Sequence, residues 1–146
     1  MRDKSEDIKN SLIIRPFRRS DEPYIVQLWQ SCGLLASQND PHKDIQTKLA
    51  VQPELFLAGE LSGSIIASVM AGYEGHRGWI NYLAVSPAFR KKGYGRRMTE
   101  YAEARLRELG CPKINLQIRT SNTGVIAFYK RIGFFEDDVI SMGKRL

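Results

Sequence analysis

Apolar positions along the chain recur with two different periods, and each change of period marks a boundary. Leu12-Ile-Ile-Arg-Pro-Phe17 is a short apolar run that predicts a first strand. Ile25, Leu28, Trp29 and Cys32 then fall at helical spacing, so the next segment is a helix with one buried face. Ser20 or Asp21 caps it, Pro23 lies in its tolerant first turn, and Gly33 ends it. After the breaker Asn39-Asp40-Pro41 a weaker pattern predicts a second helix over 44–51. Residues 54–60 and 64–73 predict two strands joined by the turn Leu61-Ser62-Gly63, and residues 75–78 turn the chain into a third strand over 79–85.

Helical spacing returns over 96–109, where Met98, Tyr101, Ala102, Leu106 and Leu109 form a stripe that Gly110 and Pro112 stop. Residues 114–118 alternate as a strand does. Ser121-Asn122-Thr123 then caps a short helix that runs to Ile132, and Gly133 ends it. Residues 134–146 read as one or two closing strands. The pattern predicts a flexible tail over 1–11 and a single mixed α/β domain over 12–146.

Composition narrows the partners. The 146 residues suffice for one core, and 42% hydrophobic with 26% charged residues is the balance of a globular chain. A net charge of +6 points to an anionic partner: nucleic acid, an acidic surface or a phosphorylated cofactor. Cys32 and Cys111 stand far apart and in no ligand spacing with His42 or His76, so two free thiols and no metal are expected. The polar, mixed-charge start has no secretory apolar core, and no apolar run has membrane length, which makes a cytoplasmic protein the expectation.

The candidate chemistry lies in Arg90-Lys91-Lys92-Gly93-Tyr94-Gly95-Arg96-Arg97, between a predicted strand and a predicted helix. Glycines there let backbone approach a ligand closely, and the first helical amides have no intrahelical acceptor. With the helix dipole they form an anion site suited to a pyrophosphate. Two phosphate loops are excluded: position 98 is Met where a dinucleotide fingerprint needs glycine, and Gly95 precedes Arg96-Arg97 rather than Lys-Ser/Thr. By itself the segment is equally an exposed basic turn.

A second motif follows at a distance, Asn122-x4-Ala127-Phe-Tyr129-x3-Gly133-Phe134. Together with Val85-Ser-Pro-x2-Arg90-x-x-Gly93-x-Gly95 it closely resembles the GNAT family of acyl-CoA-dependent N-acetyltransferases, in the family's order and separation. Segments 72–78, 110–114 and 143–146 look most like its YpeA-type bacterial subgroup. The resemblance implies a mostly antiparallel sheet of six to seven strands with about four helices, in which two strands splay to admit the pantothenyl arm of acetyl-CoA. It assigns backbone contacts with that arm to Leu83, Ala84 and Val85, and the pyrophosphate to the loop of Arg90, Lys91, Lys92, Gly93, Tyr94, Gly95 and Arg96. Asn122 matches a pantetheine-side contact, and Tyr129 the residue that protonates the departing thiolate. On spacing alone Tyr129 belongs to a core stripe with Val125, Phe128 and Ile132.

One family feature is missing. The strand positions that often carry a glutamate base hold Trp79 and Gln117 here, which leaves Glu74 and His76 as titratable candidates, or a water chain near Asn81 or Tyr82. Asp40, His42 and Asp44 fall in the region that covers the acceptor cleft in relatives. Freeing a lysine amine near pH 7.4 costs about 4 kcal/mol and an α-amine about 0.5, so a site without a strong base favours the α-amine slightly. The expectation is acetyl transfer from acetyl-CoA to a small-molecule or protein amine by a monomer or homodimer. The alternatives are a CoA-binding sensor without turnover and a basic nucleic-acid-binding module. No nucleic-acid motif accompanies the charge, so nucleic acid is not expected.

Overall fold

Among the described residues, 11–146, five strands pair in the order in which the chain makes them. They are β1 (Ile13–Pro16), β2 (Phe56–Leu61), β3 (Ser64–Tyr73), β4 (Gly78–Val85) and β5 (Ile114–Asn115). The first four are antiparallel neighbours, whereas β5 joins β4 in parallel. Four α-helices of the described residues accompany them: α1 (Glu22–Ser31), α2 (Pro41–Leu49), α3 (Tyr94–Glu108) and α4 (Thr123–Arg131). The structure is a computed structural model of these residues. Apart from Ser11, the tail expected over 1–11 lies outside the described residues. Two compact units divide the chain, one running to Leu116 and holding the sheet with α1 to α3, the other Gln117–Leu146 with α4.

Local chemistry explains the turns and caps. Ser62 and Gly63 both have positive φ, 50° and 82°, which the tight two-residue hairpin between β2 and β3 requires. Asp40 caps α2 by accepting from Lys43 N at 3.2 Å, with Pro41 in the first turn, so this helix begins three residues earlier than the apolar pattern predicts. Asp21 precedes α1, yet its carboxylate is used elsewhere. It accepts two bonds from the Arg15 guanidinium, 2.7 and 2.9 Å, and one from Arg18 N at 2.8 Å. This knot ties β1 to the start of α1.

The core of the first unit has two layers against the sheet. Ile25, Leu28 and Trp29 of α1 and Ile45 of α2 cluster with Phe17, Phe56, Ala58, Met70 and Ala84. Phe17 stacks on Phe56 with centroids 4.5 Å apart. Helix α3 packs on β3 and β4 and buries Met98, Thr99, Ala102 and Leu106. Gly78 permits its close approach, since a Cβ there would sit 2.8 Å from Cys111 Sγ and 3.2 Å from Leu106.

The sheet has five strands rather than the six to seven expected. Strand β5 ends at Asn115 instead of Ile118, and residues 134–146 add no strand. In that segment Phe134-Phe135 and Val139-Ile140 are adjacent apolar pairs parted by three acids, which is not the period of two that gives a strand one buried face. Phe135, Val139, Ile140 and Met142 are accordingly exposed. Among the described residues no helix is long and apolar enough to cross a membrane.

Candidate active site

Strand β4 is irregular at the point where the chemistry was expected. The β3–β4 register passes from Ser68 opposite Ala84 to Met70 opposite Asn81, so Tyr82 and Leu83 share one partner position and form a bulge. Tyr82 has φ +50°, a left-handed conformation that costs about 1–2 kcal/mol for a residue with a side chain. Three contacts hold it there. Its ring stacks on Trp29 at 4.0 Å, its hydroxyl donates to Asp44 Oδ2 at 2.7 Å, and its carbonyl accepts from Ser68 Oγ at 3.2 Å. Burial, the bond to Asp44 and the Asp44 charge push the phenol up to about 12, so Tyr82 is neutral throughout the physiological range.

The direction of one amide follows. Peptides in the described chain are trans, so C=O and N–H of each peptide point opposite ways. The Tyr82 carbonyl points to the Ser68 hydroxyl, so the Leu83 N–H of the same peptide points away from it. Ser86 N bonds Ile66 O across the β3–β4 ladder, Ala84 opposite Ser68 faces β3 likewise, and Leu83 between the bulge and Ala84 faces the side of β5. The β4–β5 ladder pairs only Gly78 with Ile114 and Trp79 with Asn115. Beyond Trp79 that edge of β4 makes no ladder pair among the described residues, where the family resemblance implies a splay. The buried Oδ1 of Asn115 lies where the ladder stops and has no hydrogen-bond partner.

The basic loop continues from this edge. Val85 O accepts from Arg90 Nε and from Cys32 Sγ, each at 3.3 Å, closing the loop over a short turn at Pro87–Phe89. Lys91 and Gly93 both take left-handed φ, 62° and 83°, and Gly93 is the N-cap of α3. Glycine has no side chain to bond the first helical amides, and a Cβ at Gly93 would meet nothing within 4 Å. The amides of Tyr94, Gly95 and Arg96 thus open α3 without an intrahelical acceptor, and the first helical bond is from Arg97 N to Gly93 O at 3.1 Å. The surrounding cations differ in freedom. Arg96 pairs with Glu100 at 2.9 Å, Arg97 donates to Leu12 O, and Lys92 lies 5.7 Å from the centre of the Phe89 ring.

In the second unit Asn122 is the N-cap of α4, its side-chain oxygen accepting from Val125 N at 3.3 Å. Tyr129 lies two turns later. It is buried against Phe128 and Phe134, edge to face at 5.0 and 5.3 Å, and burial raises its phenol far above the ordinary value.

The titratable candidates separate sharply. Glu74 accepts from His76 N at 2.7 Å and Arg77 N at 2.5 Å and so shapes the β3–β4 hairpin. From Gly78, which follows that hairpin, to Leu83 is roughly 16 Å of strand. Asp40 caps a helix and His42 pairs with Glu22 at 3.1 Å. Asp44 alone of these reaches the bulge. Ser68 and Trp29 carried no functional signal in the sequence: one is a serine in a strand, the other part of a helical stripe.

This arrangement is that of an acyl-CoA-dependent acetyltransferase. The family model described as "Acetyltransferase (GNAT) family" matches residues 16–134, and the chain belongs to that family. An acetyltransferase of Yersinia enterocolitica is 45% identical over 133 residues, 91% of this chain and 94% of the relative. The crystal structure of Ard1 from Thermoplasma volcanium matches with a TM-score of 0.77 at 25% identity, covering 85% of this chain and 82% of that one. The structure of AAC(6')-Iy with the bisubstrate analogue CoA-S-monomethyl-acetylneamine shares the fold at 18% identity, with a TM-score of 0.76 and coverage of 93% and 99%. The fold is the α/β GNAT fold with a mixed sheet and four helices, and the protein is an acyl-CoA-dependent N-acetyltransferase.

Proposed function

We propose that the protein acetylates an amine from acetyl-CoA by direct attack of the amine on the thioester, with an α-amine favoured over a lysine side chain. The observation that carries this reading is the pair of left-handed residues, Lys91 and Gly93, that open α3 with bare amides one loop beyond the open edge at Leu83. The amides of Tyr94, Gly95 and Arg96 receive the CoA diphosphate, with Arg90, Lys91, Lys92 and Arg96 adding positive potential. Backbone groups of Leu83, Ala84 and Val85 line the arm, and the Asn122 side chain contacts its pantetheine part. The Leu83 N–H is aimed where negative charge grows on the thioester oxygen. Tyr129 supplies the proton that the leaving thiolate takes, and its burial keeps the phenol protonated for that task.

The acceptor enters past Asp44, whose carboxylate at the bulge suits an ammonium group. The amine's proton leaves through water near Asn81 and Tyr82. Glu74 acts only at the end of such a chain, since a length of strand separates it from Leu83. Removing a proton from an α-amine costs about 0.5 kcal/mol near neutrality against about 4 for lysine, which is why weak base assistance favours the former.

The test is thiol release from acetyl-CoA with a panel of amino acids, peptides, polyamines and aminoglycosides. Turnover with at least one amine, fastest for α-amines, is expected. Tight CoA binding without turnover on any acceptor would leave a sensor instead, and salt-sensitive retention on DNA without CoA binding would leave a nucleic-acid module. Glu74→Gln at the parent's kcat removes Glu74 from the chemistry.

A further inference from the structure

We infer that Ser68 and Trp29 are positioning residues which, acting through the Tyr82 carbonyl, set the direction of the Leu83 N–H. The inference rests on the reading that this amide receives the developing negative charge. Both side chains are fully buried, on β3 and α1 respectively. The polarity of their contact is dictated by chemistry. An indole N–H only donates, so Trp29 Nε1 gives its hydrogen to Ser68 Oγ at 2.9 Å. The one hydroxyl proton of Ser68 is then free for the Tyr82 carbonyl at 3.2 Å.

That carbonyl matters because it belongs to the same planar peptide as the Leu83 N–H. Rotation about ψ of Tyr82 turns the Tyr82 carbonyl and the Leu83 N–H together, so an unrestrained peptide would swing that N–H away from the open edge, beside a left-handed φ of +50° that only surrounding contacts hold. The stack on Trp29 and the bond to Asp44 restrain the Tyr82 side chain, but neither touches the carbonyl. Ser68 does, and Trp29 keeps the Ser68 hydroxyl turned the right way. A serine in a buried strand therefore governs an amide on the neighbouring strand.

Ser68→Ala removes the bond and keeps every contact of the loop at 90–96. The expected result is a fall in kcat of about tenfold, less than the about 10²–10³ seen when an oxyanion donor is lost outright. The KM for acetyl-CoA and the Kd for CoA should stay within about twofold, a split that general loosening would not produce. In amide spectra of labelled protein the Leu83 signal should shift or broaden, while that of Ser86, bonded to Ile66 O at 2.8 Å, should hold. If Ser68→Ala does not fold, Ser68→Cys keeps the size with a weaker donor, and a three- to tenfold lower kcat at unchanged CoA affinity is expected on the same grounds. A parent-like kcat in the folded variant, or a loss of CoA affinity that matches the loss of kcat, overturns the inference. If the parent turns over no amine, the functional reading fails instead, and the Leu83 signal alone decides whether Ser68 pins the peptide.

Discussion

The two ends of α3 allow a controlled test of the anion site. Gly93 before the helix and Gly110 after it have nearly the same φ, +83° and +84°, and a Cβ at either would meet nothing within 4 Å. Alanine at each position therefore costs only the left-handed strain, about 1–2 kcal/mol, or roughly 3–8 °C in Tm for a chain of this length. Only Gly93 also presents the amides proposed to hold the diphosphate. If Gly93→Ala relaxes, the population of the competent loop falls, and CoA affinity falls with it by about tenfold. Urea unfolding with and without CoA reads both effects. At a hundred times the parent's Kd the ligand stabilises the parent by about 2.7 kcal/mol, and a tenfold weaker variant by about 1.4. Gly110→Ala should lose stability like Gly93→Ala yet keep the parent's full gain from CoA. Equal loss of CoA stabilisation in both variants, or a full gain in Gly93→Ala, refutes the reasoning.

Further outcomes follow from the same geometry. Tyr129→Phe should lower kcat by about a hundredfold at near-parental Tm, because the ring contacts with Phe128 and Phe134 remain, and thiol-release kinetics with circular dichroism melts check both. Since burial raises the Tyr129 phenol, the parent's pH–rate profile should show no alkaline loss from its ionisation below about pH 10. Asp44→Asn should raise KM for the amine by about tenfold and leave KM for acetyl-CoA unchanged, as steady-state kinetics with each substrate varied will show. Arg15→Ala should cost about 3 kcal/mol in urea unfolding, because it strands the largely buried Asp21 carboxylate. Burial raises the Asp21 carboxyl, but bonds from Arg15 and Arg18 N with their charges outweigh this and hold it below its ordinary value. That contribution is complete above about pH 4 and lost as the pH falls further, so Arg15→Ala should flatten the acid limb of the stability curve.

Much of this molecule was legible in one dimension. The helical stripes of α1 and α3, the hairpin at Ser62-Gly63 and the glycine-opened basic loop are all local, set by spacing and by residues whose backbone preferences decide a turn. The loop and the Asn122–Tyr129 segment stood out because an anion site at a helix start needs only consecutive residues. Period alone misled at 134–146, where apolar residues suggested strands but no alternating face exists to pair them into a sheet. What tertiary structure decided was the bulge. Nothing in Asn81-Tyr82-Leu83 announces a left-handed tyrosine; it arises because Ser68, Trp29 and Asp44, between 14 and 53 residues away, converge on one peptide. Local preference would reject that conformation, and only contacts between distant parts of the chain hold it, so the direction of the Leu83 amide belongs to the fold.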